Sequence, residues 1–358
     1  MEEILNSQIE TLKITDFLKA SEKYINKNFT QFELSEIFKN SLTGNIGEIF
    51  SFSFFEKMFF SEVYVDLEIV VNLLIIIIIH SVFKCIVENF SNYSFSQILY
   101  FIQYLLITTV LIDSFISIVE IARNSINDIT NFMNLLIPIL LTLVLTTGNF
   151  ATATIVQPIL LFMISFIGNI INIFIIPVIL VTVSLSIVSN LSEKIQINKI
   201  SKFLKSSIIW FLGIILTIFT STLSIEGTLS SSVDGLTSKT AKAVVSNFIP
   251  VVGKIMGDSV ETIIGCTNIL KNSIGIIGVI IIICIVIMPI IKVCVLMLSL
   301  KITSAVCEIV ADSKIVNLIE NVSDAYKLIL AILISVAIMF VIGVTLVVKI
   351  SNVSVMYR

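Results

Sequence analysis

Between Asp128 and Glu193 the chain carries no charged side chain at all, across 64 residues (129–192) of nearly unbroken apolar sequence. A helix rises about 1.5 Å per residue, so this window is roughly 95 Å of helix, about three times a 30 Å hydrocarbon core. Inside lipid the backbone must satisfy its own hydrogen bonds, which leaves helices as the economical way to cross. The window is therefore read as three crossings, at about Phe132–Thr147, Thr152–Ile171 and Ile173–Asn190. Each holds one proline in a similar setting, IPILL, QPILL and IPVIL, about one crossing apart. Proline marking a helix start or kink in Ile/Leu-rich sequence is the preferred explanation of that recurrence.

The rest of the composition agrees. Mean hydropathy is +1.07, with 56% hydrophobic and only 13% charged residues among 358. Soluble domains hold about a quarter charged residues, so the chain reads as an all-α, polytopic integral membrane bundle. A net charge of −3 excludes a strongly basic nucleic-acid binder, so no nucleic-acid partner is expected. The five cysteines (Cys85, Cys266, Cys284, Cys294, Cys307) show no metal or redox spacing, and His80 is the single histidine. No P-loop, GxSxG, HExxH or strand-borne GxGxxG is present. The expectation is a non-enzymatic protein without metal or cofactor, whose energy input comes from a partner or a gradient.

Residues 1–66 are the one stretch of ordinary polarity. Eleven acidic residues face six lysines there, and Ile14, Phe17, Leu18, Phe32, Leu34, Ile37 and Phe38 recur at helical spacing. Short amphipathic helices follow, with no signal-peptide pattern ahead of them. The first span is Ile69–Val87, with Lys84 placed to snorkel, and the second is Ile98–Ala122. After the uncharged window comes SEKIQINKISKFLKSS (192–207), a loop of net +3 that should be cytoplasmic. Spans follow at Ile208–Ile225, with Trp210 as an interfacial anchor, at Ile274–Leu298, where Lys292 can snorkel, and at Leu328–Val348. That makes about eight spans in a membrane domain over 67–348, with a tail at 349–358. Counting from the lysine loop puts the acidic N-terminal segment outside the cytoplasm.

Between spans six and seven, 227–273 differs from everything around it. Asp234, Lys239, Lys242, Lys254, Asp258, Glu261 and Lys271 interrupt an amphipathic pattern running through Val244, Val245, Phe248, Val252 and Ile255. With Pro250 and Gly253 in the middle, this predicts two amphipathic helices joined at a kink, as a surface or re-entrant hairpin on the extracytoplasmic side. An ordinary extramembrane hairpin fits equally well. Elsewhere, Asp113 lies in mid-span, at a cost of about 2.5–3.5 kcal/mol on insertion scales. In an antiparallel hairpin of the first two spans it reaches the depth of His80, making a candidate intramembrane polar pair, while satisfaction by Thr109, Ser117 or a neighbouring helix is the simpler expectation. Gly275 and Gly278 suit close helix approach.

The central stretch carries four ordered motifs: VDGLT (Val233–Thr237), KTAK (Lys239–Lys242), NFIPVVGK (Asn247–Lys254) and LKNSIGIIG (Leu270–Gly278). Together they resemble the signature region of the stage III sporulation protein AE family of endospore-forming Firmicutes. The likeness extends more loosely over most of the chain from about residue 69. The resemblance implies a multi-pass protein of the mother-cell membrane surrounding the forespore. It would act with other products of its operon: a secretion-type ATPase, ring-forming proteins and a forespore-membrane partner. Together these resemble a specialised secretion or feeding channel. The candidate partner contacts are Asp234, Lys239, Lys242, Lys254 and Asp258, on the side where such partners would stand. The alternatives are a secondary transporter with a site near Asp113, and a pure assembly scaffold.

Overall fold

The computed structural model describes residues 2–25, 34–43, 52–88, 93–147, 149–191, 198–248, 252–309 and 311–356. Side chains at 226–262 and at a few other helical positions lie outside that description. Three short helices, α1 (Glu2–Thr11), α2 (Ile14–Glu22) and α3 (Leu34–Thr43), precede the long ones. Then come α4 (Phe52–Glu88), α5 (Tyr93–Thr146), α6 (Phe150–Ile170), a π-helical turn at Ile171–Ile175, and α7 (Ile176–Leu191). The bundle is completed by α8 (Asn198–Phe248), α9 (Val252–Cys307) and α10 (Ser313–Met356). Among the described residues there is no strand.

The amphipathic spacing at the front forms the expected helices. Ile14, Phe17 and Leu18 on α2, and Leu34, Ile37 and Phe38 on α3, are buried, while Asp16, Lys19, Glu36 and Lys39 face outward. Phe32 lies outside the described residues. Phe17 and Tyr24 pack against Phe132 of α5, with ring centroids 6.4 and 5.8 Å apart, and α3 and α1 lie on α9.

Among the described residues, six apolar helical stretches are long enough to cross a membrane: Phe59–Phe83, Tyr100–Thr146, Ala153–Ser189, Lys199–Ile225, Ile263–Cys307 and Ser313–Lys349. The protein is a multi-pass membrane protein, with six such helical stretches where eight spans were expected. Two expected reversals are absent. The polar residues between the second and third expected spans, Arg123 to Asn131, do not end a helix. α5 runs straight through them, because it holds no glycine or proline before Pro138, its charged and asparagine side chains there point outward, and the buried Ser125 Oγ donates back to Ile121 O (2.8 Å). The fourth and fifth expected spans join through the π-helical turn at Ile171–Ile175, which adds a residue to the ladder without reversing the chain. Pro138 and Pro158 stand inside helices rather than at their starts.

The reversal that does occur, between α5 and α6, is built from its own side chains. Thr147 and Asn149 are buried, Thr147 Oγ1 donates to Val144 O (2.7 Å), and Asn149 Nδ2 donates to Thr147 Oγ1 (2.8 Å). The buried side chains of Thr147 and Asn149 thus find partners within the protein.

α9 is the most enclosed of the long helices, with α10, α5 and α4 around it. Gly275 and Gly278 let its neighbours approach as the small-residue spacing predicts. A Cβ on Gly275 would stand 2.5 Å from Val348 Cγ2 of α10, and one on Gly278 would stand 2.5 Å from Leu136 Cδ2 of α5. Toward the far end of this hairpin, Ser323 Oγ donates to Met297 O (2.9 Å) and Ser114 Oγ lies 2.8 Å from Tyr326 Oη. Lys205, from the lysine-rich stretch, meets Asp324 (3.4 Å) and Asn321 (3.2 Å) on α10. Trp210 is exposed on the outer face of α8, beside Ile209, Ile214 and Ile218.

Candidate functional site: a buried lysine on α9

Along α9, Thr267, Leu270, Lys271, Ile274 and Gly278 recur at three- and four-residue steps, so they share one helix face. That face is the core face. Thr267, Leu270, Lys271 and Ile274 are all fully buried, with no solvent-accessible surface. An ammonium enclosed in a membrane helix is expensive and marks a position where charge has a task. Lys271 Nζ donates to Asn268 Oδ1 at 3.3 Å, one helical turn back.

The N-terminal segment closes this site. Gln8 of α1 donates through Nε2 to Thr267 Oγ1 (3.0 Å) and to Ile263 O (3.5 Å), and Thr267 Oγ1 donates to Ile263 O (2.9 Å). Among the described residues, Gln8 Oε1 and Asn272 Oδ1 are buried acceptors without a donor. The arrangement is thus a buried cation with spare amide acceptors nearby, capped by an amphipathic helix. It suits holding a polar or ionic group, or locking α1 onto α9. No group of three or more His, Cys, Asp or Glu side chains able to hold a metal occurs among the described residues.

A second ionic contact also escaped the sequence. Lys292 stands with Nζ 4.0 Å from Glu62 Oε2 of α4, both side chains largely covered, so it faces a carboxylate rather than snorkelling. Helical phase gave a signal for Lys271, since its neighbours at minus four, plus three and plus seven belong to the core stripe. Glu62 gave none, because residues 1–66 read as a separate segment while α4 runs continuously through that boundary.

The sequence-nominated residues are placed as follows. Asp113 lies on α5 and is exposed. Its proposed partner His80 lies on α4 with its side chain outside the described ones, so the pairing falls outside the description. Thr109 bonds its own backbone, at Leu105 O, 2.8 Å away. Asp234, Lys239 and Lys242 fall on α8, and Lys254 and Asp258 on α9, with their side chains outside the description. The backbone around them is informative all the same. The uncharged stretch of α8 ends at Ile225, yet the helix runs on to Phe248, and α9 begins at Val252. The predicted pair of helices therefore exists as the distal ends of two long helices, and the predicted join between them, at 249–251, lies outside the described residues.

The stage III sporulation protein AE family model matches residues 28–351, nearly the whole bundle. The chain belongs to the stage III sporulation protein AE family. It is similar to the stage III sporulation protein AE of Bacillus subtilis (strain 168), 30% identical over 299 residues, covering 84% of this chain and 75% of that protein. No solved structure matches the chain. Membership in this family assigns the protein to sporulation, and all four motifs of the signature region, with Lys271 in the last, fall inside the matched segment.

Proposed function

We propose that this protein is a non-enzymatic component of a secretion or feeding channel linking mother cell and forespore, seated in the mother-cell membrane around the forespore. Its docking region is the charged end of the α8–α9 hairpin. The observation that carries this reading is the length of those helices. From Glu226 to Phe248, α8 continues for roughly 34 Å beyond its uncharged stretch, a distance comparable to a bilayer core. A charged hairpin of that reach suits contact with other proteins better than contact with lipid. Its partners on this reading are a secretion-type ATPase and ring-forming proteins of the same operon, and a partner in the forespore membrane. Affinity purification of a tagged protein from sporulating cells tests it. Recovery of those partners is expected, and a protein recovered alone at full membrane abundance would overturn the reading.

A second reading, a secondary transporter with its own site, is favoured by the enclosed Lys271 and by the amide oxygens of Gln8 and Asn272, which lack a donor among the described residues. Solute uptake by proteoliposomes containing this protein alone separates the two. A channel component conducts nothing by itself in that assay, whereas a transporter does.

A further inference from the structure

One side of the bundle is polar where its neighbours are apolar. On α5, Glu120, Arg123, Asn124, Asn127, Asp128 and Asn131 are all exposed and fall on one helical face. Asn124, Asn127 and Asn131, with the half-buried Asn134, keep strict three- and four-residue spacing. The contacts of α5 fix their depth. Asn172 Nδ2, in the π-helical turn at the middle of the uncharged 153–189 stretch, donates to Asn127 Oδ1 (2.7 Å). One turn on, Thr130 abuts Gly168 of α6, and Leu136 abuts Gly278 of α9. The asparagine face therefore lies alongside uncharged helices, at a level where α6 and α8 show Phe162, Phe166, Ile214 and Ile218 to their surroundings. Amides cannot stand unsatisfied against acyl chains without a cost of several kcal/mol. One acceptor at its margin, Asn172 Oδ1, is buried and lacks a donor among the described residues.

We propose that a second copy of this chain covers this face, with α5 packed against α5 of its partner. Two copies inserted in one membrane with the same orientation are related by an axis along the bilayer normal, so the two α5 helices run parallel. Each residue then meets its own counterpart. That geometry excludes a face of like charges, and it suits asparagine, whose amide both donates and accepts. Asparagine at helix contacts in a membrane is an established driver of association, and in parallel coiled coils it fixes register. The charges fit as well. Glu120 and Arg123 are three residues apart, so in parallel register each can pair reciprocally with the other on the partner helix. Asp128, which would face its own copy, lies within electrostatic reach of Lys23 at the end of α2. The flank toward α6 is closed by the Asn127–Asn172 bond, which holds one amide of the face in place.

The test is disulfide cross-linking of the full-length protein in native membranes, with the five native cysteines replaced and single cysteines at Asn124→Cys, Asn127→Cys or Asn131→Cys. Oxidation is expected to give a species of twice the 39.7 kDa chain at these positions. Phe162→Cys and Ile218→Cys, on the apolar outer face, should give none. Monomer at all three positions while the thiols react freely with an impermeant methanethiosulfonate would mean that the face lines water, and the proposal falls. A covalent adduct with a different protein overturns it equally, as does cross-linking of the outer-face controls to the same extent. In proteoliposomes, the triple Asn124→Leu, Asn127→Leu, Asn131→Leu protein should retain its membrane level and monomer elution, because leucine inserts readily. Its dimer should dissociate roughly tenfold more readily, read by single-molecule photobleaching. An unchanged dimer fraction in that variant would place the contact elsewhere.

Discussion

Replacing Lys271 by methionine separates a charge that is used from one that is tolerated. Methionine matches the lysine stem in length and flexibility, so the enclosed site around Leu270 and Ile274 needs little repacking. Two terms oppose each other. A lysine at a helix centre costs about 2.5–3.5 kcal/mol on insertion scales. A hydrogen bond from a charged donor, such as the 3.3 Å contact to Asn268, returns about 1.5–3 kcal/mol where it is well made. That contact is long and Asn268 is only partly covered, so its return sits at the low end. On these two terms alone, substituting the whole charged group by a well-packed apolar one should stabilise the fold by about 1–2 kcal/mol.

At about 2–4 °C per kcal/mol, the midpoint of thermal aggregation in detergent should rise by about 2–8 °C in Lys271→Met. Fluorescence-detected size exclusion after a heat ramp measures this. Sporulation should fall sharply at unchanged membrane abundance, because the site loses its buried positive charge. A more stable protein that sporulates normally would show that the lysine is merely tolerated. A less stable one would show that its hydrogen bonds outweigh its desolvation, and the energetic reasoning would be wrong.

Three further outcomes are expected. Cysteines replacing Lys199 and Asp258, probed with an impermeant reagent on protoplasts, should label at 258 and not at 199, since the net +3 loop and α8 separate them; the opposite pattern inverts the topology. Gly278→Leu should lower thermal stability by about 1–3 kcal/mol, because even a Cβ would stand 2.5 Å from Leu136 and the larger side chain must push α5 away; an unchanged melting midpoint would refute that close approach. Reversing the charges at Lys239, Lys242 and Lys254 together should release the protein from its partners without lowering its membrane level, each single charge counting for under about 1 kcal/mol; co-purification of every partner with the triple variant would move the docking surface elsewhere.

What was legible beforehand was whatever composition and helical phase encode. The apolar excess gave the membrane bundle, and the spacing of Ile14, Phe17, Leu18, Leu34, Ile37 and Phe38 gave the short helices and their buried faces. Gly275 and Gly278 gave the close contacts of α9. What hydropathy cannot encode is continuity. Arg123, Asn124, Asp128 and Asn131 look like a loop between two spans because a window average falls there, yet a helix carries polar residues as readily as apolar ones if a single face presents them. The asparagine spacing was that signal, and it speaks of a face rather than a break. Lys271 was read among the charges of a surface hairpin. Its position on the stripe of Thr267, Ile274 and Gly278 argued instead for the core. Long-range pairs such as Glu62–Lys292 and Gln8–Thr267 join segments far apart in sequence, and nothing local announces them.

The dimensions of α5 bring these observations together. Its apolar stretch, Tyr100–Thr146, has 47 residues, about 70 Å of helix against a hydrocarbon core of about 30 Å. To keep all of it in one bilayer, a straight helix would have to tilt by roughly 65°, well beyond the 0–40° that spanning helices adopt. One half must therefore leave the hydrocarbon or be sheathed by protein. The first half, with Phe101, Ile102, Leu105 and Leu106 exposed beside Ile75, Ile78 and Ile79 of α4, is as apolar outside as any lipid-facing surface of the bundle. The second half lies beside α6 and α9, whose uncharged stretches place it in the bilayer. Between them sits the polar face from Asp113 to Asn131, the one part of α5 that suits neither lipid nor a dry core. A helix so divided is stable only with a polar partner at its middle and apolar cover at its first half. A single copy of this chain supplies each of these only in part, the first through α2 and the Asn172 amide, the second through α4 and α7 on one side. On the dimer proposed above, the α5 of the second copy supplies the polar contacts still missing at this level.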